Sequence, residues 1–357
     1  MNLSVNQKRK LKQTRSLLII GTMLGPIYIV FSDGFHNIIP FVNATIGAFL
    51  ISCVIALLEI WLLEKGIRKL RFITLLFIRT IIYIVFITVI IVNVLVISRM
   101  IVNNNSYSDV LNSQEFQNYI YHEDFIILLI YSVVFALTIN FTRMLSRKMG
   151  QGMLLSHIVG TYFEPVKQER IFMFLNVSNS KKISEKLGPL EFHKFLNNFI
   201  YDITGPIIHH GGIIYEYVED LVVISWSIKK GIFEANCLRL FFAIQDEIEG
   251  IKEDYYISYG FSPQIKASIH CGNVIRAEIG DIKTQIVFHG DVMNTTSRIL
   301  GKCYEMEKTF LASAHLIYRI EIPRIIESKS VGAISLKGKE KEVELFSIEE
   351  KQVNTVV

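Results

Sequence analysis

The chain has 357 residues, long enough for two domains; 51% are hydrophobic, more densely so over the first 142 positions, while most charges follow. A mean hydropathy of +0.38 is unusual for a soluble protein. The formal charge of +4, with no Lys/Arg run interleaved with aromatics in the second half, gives no footprint for nucleic acid. Cys53, Cys237, Cys271 and Cys303 are scattered without a CxxC pair, so they read as buried thiols of a reducing compartment, not a disulfide frame or zinc site.

Four apolar stretches come first: Ser16–Ser32, Phe41–Leu63, Phe72–Ser98 and Phe125–Thr142. A helix needs roughly 20 residues to cross the hydrocarbon layer, and these are near or above that length without a polar stripe. They predict a membrane domain in contact with lipid. Lys8, Arg9, Lys10, Lys12 and Arg15 precede the first stretch; Lys65, Arg68, Lys69 and Arg71 fill the second link; Arg143, Arg147 and Lys148 follow the fourth. The other links hold Arg99 against Asp33, Asp109, Glu115, Glu123 and Asp124. The positive-inside rule then predicts an integral membrane protein with both termini cytoplasmic, in the plasma or inner membrane. No A-x-A-like site follows the first stretch, so it reads as an uncleaved anchor. Glu59 and Arg79 fall at similar depth and form either an ion pair or two snorkelling side chains, the second being the plainer reading. The outer link, residues 99–124, carries no recognisable ligand-binding pattern.

The domain boundaries drawn from the sequence are a four-helix anchor over 1–148, a connector over 149–169, a folded domain over 170–348 and a tail over 349–357. Strand-like runs fall at Ile171–Val177, Ile213–Val218, Leu221–Trp226, Ile265–His270, Val274–Ile279, Gln285–Phe288, Val331–Leu336 and Val343–Ile348. Helical spacing marks Leu190–His210, Ile232–Ile248 and about Val292 to Tyr304. This order predicts an α+β fold, a mainly antiparallel sheet with packed helices. His209-His210 and His270-Cys271 are poor metal candidates, since neighbours on a strand point to opposite faces. No Walker loop or Ser-His-Asp arrangement is evident.

Several runs, in order, resemble class III adenylate/guanylate cyclase domains. They are Phe172-Met173-Phe174-Leu175-Asn176-Val177, Glu185-Lys186-Leu187-Gly188, Gly212 through Asp220, Ile269 through Val274, Gly290 through Arg298, and Lys337-Gly338-Lys339. The Gly-Asp-x-x-Asn-x-x-x-Arg run, Gly290 to Arg298, is the most specific. The resemblance covers about residues 168–348 and implies a cyclase-like domain with a ferredoxin-like antiparallel sheet. It further implies ATP as substrate, Mg or Mn in a two-metal site, and a dimer of this chain or with another cyclase.

Position by position, the resemblance makes Asp220 the second metal aspartate, where the plain alternative is an ordinary hairpin aspartate. Lys283 matches the adenine-reading lysine, and Asn294 and Arg298 match the transition-state pair, four apart and so on one helix face. Asp291, in the same run, joins the nucleotide-binding set. Lys337 or Lys339 would meet the outer phosphates, or be surface-strand lysines. Asn176 stands where the first metal aspartate is expected; an amide oxygen can ligate a divalent ion but brings no charge. Val287 holds the place of the second base-contacting residue and cannot accept a hydrogen bond. Glu219 replaces a glycine before the second aspartate. Beside a membrane cyclase, the resemblance leaves open an impaired, cyclase-like signalling subunit that complements a partner.

Overall fold

The computed structural model describes residues 5–32, 38–58, 72–121, 123–149, 164–281, 284–336 and 342–351. It divides into two compact units, Met1–Met149 and Gly150–Val357.

The first unit is helical: α1 (Val5–Ser32), α2 (Ile38–Ala56), α3 (Phe72–Asn103), the short α4 (Tyr107–Asn112) and α5 (Gln114–Tyr121), and α6 (Glu123–Met149). Among the described residues, four segments are long and apolar enough to cross a membrane: Thr14–Phe31, Ile38–Ala56, Phe77–Asn103 and Phe125–Thr142. The second starts three residues before Phe41 and the third runs beyond Ser98. Gly21 and Gly25 let α1 approach α2 closely: a Cβ on Gly25 would lie 2.1 Å from the Ala44 carbonyl oxygen, and one on Gly21 2.0 Å from the Ser52 hydroxyl. This is small-residue packing, which replaces the hydrophobic driving force where lipid is the solvent. Arg79 is buried, and Glu59, its possible partner, lies outside the described residues.

The second unit is α+β. In chain order it holds β1 (Val166–Val177), α7 (Ser180–His209), β2 (Ile213–Val218), β3 (Leu221–Ser227), α8 (Ile228–Ile232), α9 (Asn236–Gly250), α10 (Lys252–Tyr259), β4 (Ile265–Ile279), β5 (Gln285–His289), α11 (Asp291–Glu305), β6 (Phe310–Ser313), α12 (Ala314–Ile317), β7 (Ile326–Ile334) and β8 (Val343–Glu350). The sheet runs β2-β3-β1-β4-β6-β8-β7, with β5 also paired to β4. All its pairings are antiparallel except β4 with β6.

Two expected elements are corrected. The runs Ile265–His270 and Val274–Ile279 are one strand, β4, because every residue of β1 pairs with it, from Val166 opposite Arg276 to Val177 opposite Ile265. Gly272 does not break that strand. Its missing side chain makes room for α11, since a Cβ there would lie 2.8 Å from Cγ2 of Val292. The helix expected from Leu190 starts at Ser180 and is interrupted at Gly188 (φ 75°, ψ 163°), just before Pro189.

Both faces of the sheet are covered, which is why the centre of β1 reads as an unbroken apolar run. Ile171, Met173 and Leu175 face Phe195, Phe199 and Ile203 of α7 and Leu240, Phe241 and Ile244 of α9. Phe172 and Phe174 face the other way, onto Val292, Ile299 and Cys303 of α11. Trp226 is fully buried and donates Nε1–H to the His210 carbonyl at 2.9 Å. Trp226→Ala removes the largest core side chain and orphans that carbonyl, and is expected to cost about 3–5 kcal/mol. Denaturant unfolding of the full chain followed by circular dichroism checks this; a loss below about 1 kcal/mol contradicts the packing described.

Candidate active site

Alternation along β1 decides where Asn176 points. It lies on the same face as Phe172 and Phe174, toward α11. Across the ladder it pairs with Leu221 on β3 and Lys266 on β4. The hairpin between β2 and β3 has two loop residues, Glu219 and Asp220, flanked by the pair Val218–Leu221. Glu219 takes φ 55°, the left-handed region a glycine enters freely, at a strain of about 1 kcal/mol or more. That is a physical reason for the glycine expected at this place, and the hairpin still presents Asp220 beside Asn176.

The contact is direct. Nδ2 of Asn176 donates to Oδ2 of Asp220 at 2.9 Å, and the Tyr304 hydroxyl donates to Oδ1 of Asn176 at 2.6 Å. The orientation of the amide follows from its neighbours: a carboxylate only accepts, so the NH₂ must face Asp220. Burial, then the negative charge of Asp220 and the Cys303 thiol, pushes the Tyr304 phenol up to about 12. It therefore stays protonated as a donor throughout the neutral range.

Lys266 explains how Tyr304 arrives there. Its ammonium donates to the carbonyls of Cys303 and Lys308, both at 2.9 Å, and sits 5.1 Å from the centre of the Tyr304 ring. A cation on these carbonyls caps the C-terminal end of α11 and holds it against the end of β1. Tyr304 and Lys266 were not among the residues singled out from sequence. Tyr304 is 128 positions from Asn176, and no local pattern announces the pairing.

The remaining expected residues lie on α11, on β5 or outside the described residues. Asn294 and Arg298 stand on the face of α11 away from the sheet, whose buried face carries Val292, Thr295, Thr296, Ile299, Leu300 and Cys303. Neither makes a hydrogen bond or ion pair among the described residues. Along the helix they are about 15 and 9 Å from Tyr304, at 1.5 Å per residue. Asp291 opens α11 and accepts a hydrogen bond from the Thr295 hydroxyl at 3.1 Å, a favourable charge for a first helical turn. Val287 lies on β5 opposite Ala277, half-buried. Lys283, Lys337 and Lys339 lie outside the described residues.

Magnesium and manganese seek anionic or carbonyl oxygens. Asp220 offers one carboxylate, while the Asn176 oxygen already accepts from Tyr304 and its NH₂ faces the carboxylate. No cluster of three or more His, Cys, Asp or Glu side chains that could hold a metal occurs among the described residues. As arranged, this donor set does not fit a pair of divalent cations.

The fold is an α+β domain, joined in sequence to apolar helices long enough to cross a membrane. The family model described as "Adenylate and Guanylate cyclase catalytic domain" matches residues 164–350. Adenylate cyclase 2 of Rhizobium meliloti (strain 1021) is 30% identical over 221 residues, covering 62% of this chain and 61% of that protein. An adenylate cyclase of Anabaena cylindrica is 20% identical over 185 residues, covering 49% of this chain and 36% of the relative. The chain thus spans less than two thirds of either relative. In fold it is similar to a bacterial light-regulated adenylyl cyclase, with a TM-score of 0.54 and 18% identity over 66% of this chain and 68% of that one. The chain belongs to the adenylate and guanylate cyclase catalytic-domain family.

Proposed function

We propose that this chain is a membrane-bound adenylate cyclase of restrained output, working at sites shared between two chains paired head to tail. The observation that carries the reading is the pair Asn294 and Arg298, at helical spacing on the outward face of α11 and without partners among the described residues. In the reaction the ribose 3′-oxygen forms a bond to the α-phosphorus, the bond to pyrophosphate breaks, and the hydroxyl proton leaves to solvent. Arg298 offsets the charge that grows on the phosphoryl oxygens, and Asn294 orients the nucleotide beside it. The family implies Mg²⁺ or Mn²⁺ on the opposite half-site. One carboxylate beside an amide whose NH₂ faces it does not fit a pair of such ions as arranged, and this is the ground for expecting a low output.

Base choice rests on the resemblance of Lys283 to the adenine-reading lysine, with Lys337 or Lys339 on the outer phosphates. Val287 offers no second polar contact, so the preference for ATP over GTP is expected to be modest, within about tenfold for one lost hydrogen bond. The test is cyclic nucleotide formation by the purified full-length protein from ATP and from GTP, in Mg²⁺ and in Mn²⁺. Faster turnover of GTP contradicts the assignment of Lys283.

The second reading, a signalling subunit that completes a partner cyclase, is favoured by the hydrogen bonds that engage both ends of the Asn176 amide. It predicts no product from the chain alone and new product when an intact cyclase is added.

The same proposal places both termini in the cytoplasm, from the basic residues flanking the first, second and fourth apolar stretches. An alkaline phosphatase fused after Val357 is expected to be inactive and a fluorescent protein there to mature; active phosphatase contradicts the orientation.

A further inference from the structure

The anchor holds a cavity of about 460 Å³ walled by all four long helices. That volume is within the range of small-molecule sites. Gly47 of α2 is buried, yet a Cβ added there would meet nothing within 4 Å. In a close-packed interior such a position is filled by neighbours, and the same helix pair shows this where Gly21 and Gly25 leave no room at all. The void at Gly47 therefore reaches the helix backbone.

Its lining is apolar over most of the wall, with polar groups from Arg99, Tyr119, Tyr28, Tyr131 and Asn43. Asn43 is engaged with the Ser98 hydroxyl at 2.9 Å. Arg99 is different. Its guanidinium lies 5.3 Å from the Phe116 ring centre and 5.1 Å from that of Tyr119, and it has no carboxylate partner among the described residues. Aromatic faces compensate an arginine only in part, whereas a planar fork of N–H donors matches a carboxylate in two hydrogen bonds. From Arg99 the lining continues along α3 to Ile91, a run of about 12 Å at 1.5 Å per residue.

We propose that this cavity binds a single-chain apolar carboxylate, with the carboxylate on Arg99 and the chain running past Gly47. The proposal rests on the anchor alone and is independent of the cyclase reading. The test uses the full-length protein in phosphatidylcholine nanodiscs with radiolabelled dodecanoate as the probe. One saturable site per chain is expected. Arg99→Gln should weaken binding at least tenfold, with Arg99→Lys retaining more of it. Gly47→Leu, whose side chain grows into the open space, should abolish it. Dodecanol, equal in chain length but uncharged, should compete at least tenfold less well. Arg99 and Gly47 bear on the charged end and the chain separately, so misfolding of one variant leaves the other decisive. Dodecanoate uptake that never saturates, or that is unchanged in both Arg99→Gln and Gly47→Leu, overturns the proposal as mere partitioning. Displacement of the probe by added phosphatidylglycerol also overturns it, by assigning the cavity to a bilayer lipid.

Discussion

Asn176→Asp is expected to raise cyclase activity about ten- to a hundredfold over the unmodified chain. The substitution exchanges an NH₂ that donates to Asp220 at 2.9 Å for a second carboxylate. Two carboxylates this close repel each other. A divalent cation between them turns that cost into attraction, worth about 4 kcal/mol for a unit charge pair at 4 Å in a surface-like dielectric. Each 1.4 kcal/mol is about tenfold in rate, so part of that energy suffices. A second readout needs no catalysis. The variant should unfold at lower temperature than the wild type without divalent ions, and gain more than the wild type does when Mn²⁺ is added, because a ligand stabilises the state that binds it. Unchanged activity together with an unchanged Mn²⁺ response would show that position 176 does not govern the site.

Arg298→Ala is expected to abolish what activity the chain has, by about 10²–10³-fold, the loss typical of removing one group that stabilises transition-state charge. Its fold should be unaffected, since Arg298 lies on the outward side of α11 and makes no hydrogen bond or ion pair among the described residues. Asn294→Ala should act in the same direction. The check is turnover beside the unfolding temperature. Retained turnover with an unchanged unfolding temperature would show that this face of α11 does not take part in the chemistry.

The parts of this account that were legible in the sequence are those with short-range signatures. The hairpin that carries Asp220 is announced by two strand-like runs and a two-residue turn. Asn294 and Arg298 are placed together by helical spacing alone. Where packing decided the outcome, the reading failed. The runs Ile265–His270 and Val274–Ile279 were expected as two strands, but they are one, in which Gly272 is a contact point for Val292. Strand β6, Phe310–Ser313, is four residues with no alternation, and its place follows from parallel pairing with β4. Tyr304 and Lys266 reach Asn176 only because α11 docks on the sheet. The cavity beside Arg99 likewise belongs to no segment, since every long helix contributes to it.

The central claim is a site shared between two chains, complete on the Asn294–Arg298 side and weakened at Asn176. Mixing tests it directly. A chain carrying both Asn176→Asp and Arg298→Ala should be inactive by itself, because each of its sites lacks the arginine, while the wild type should be weak because each of its sites lacks the carboxylate. Co-expressed in equal amounts, they should form mixed dimers in which one site joins the restored carboxylate of one chain to the intact Arg298 of the other. Random pairing makes half the dimers mixed, so activity should reach about a quarter of that of Asn176→Asp alone and exceed both parents. Activity equal to the average of the two parents, with mixed dimers verified by affinity tags, would contradict the shared site.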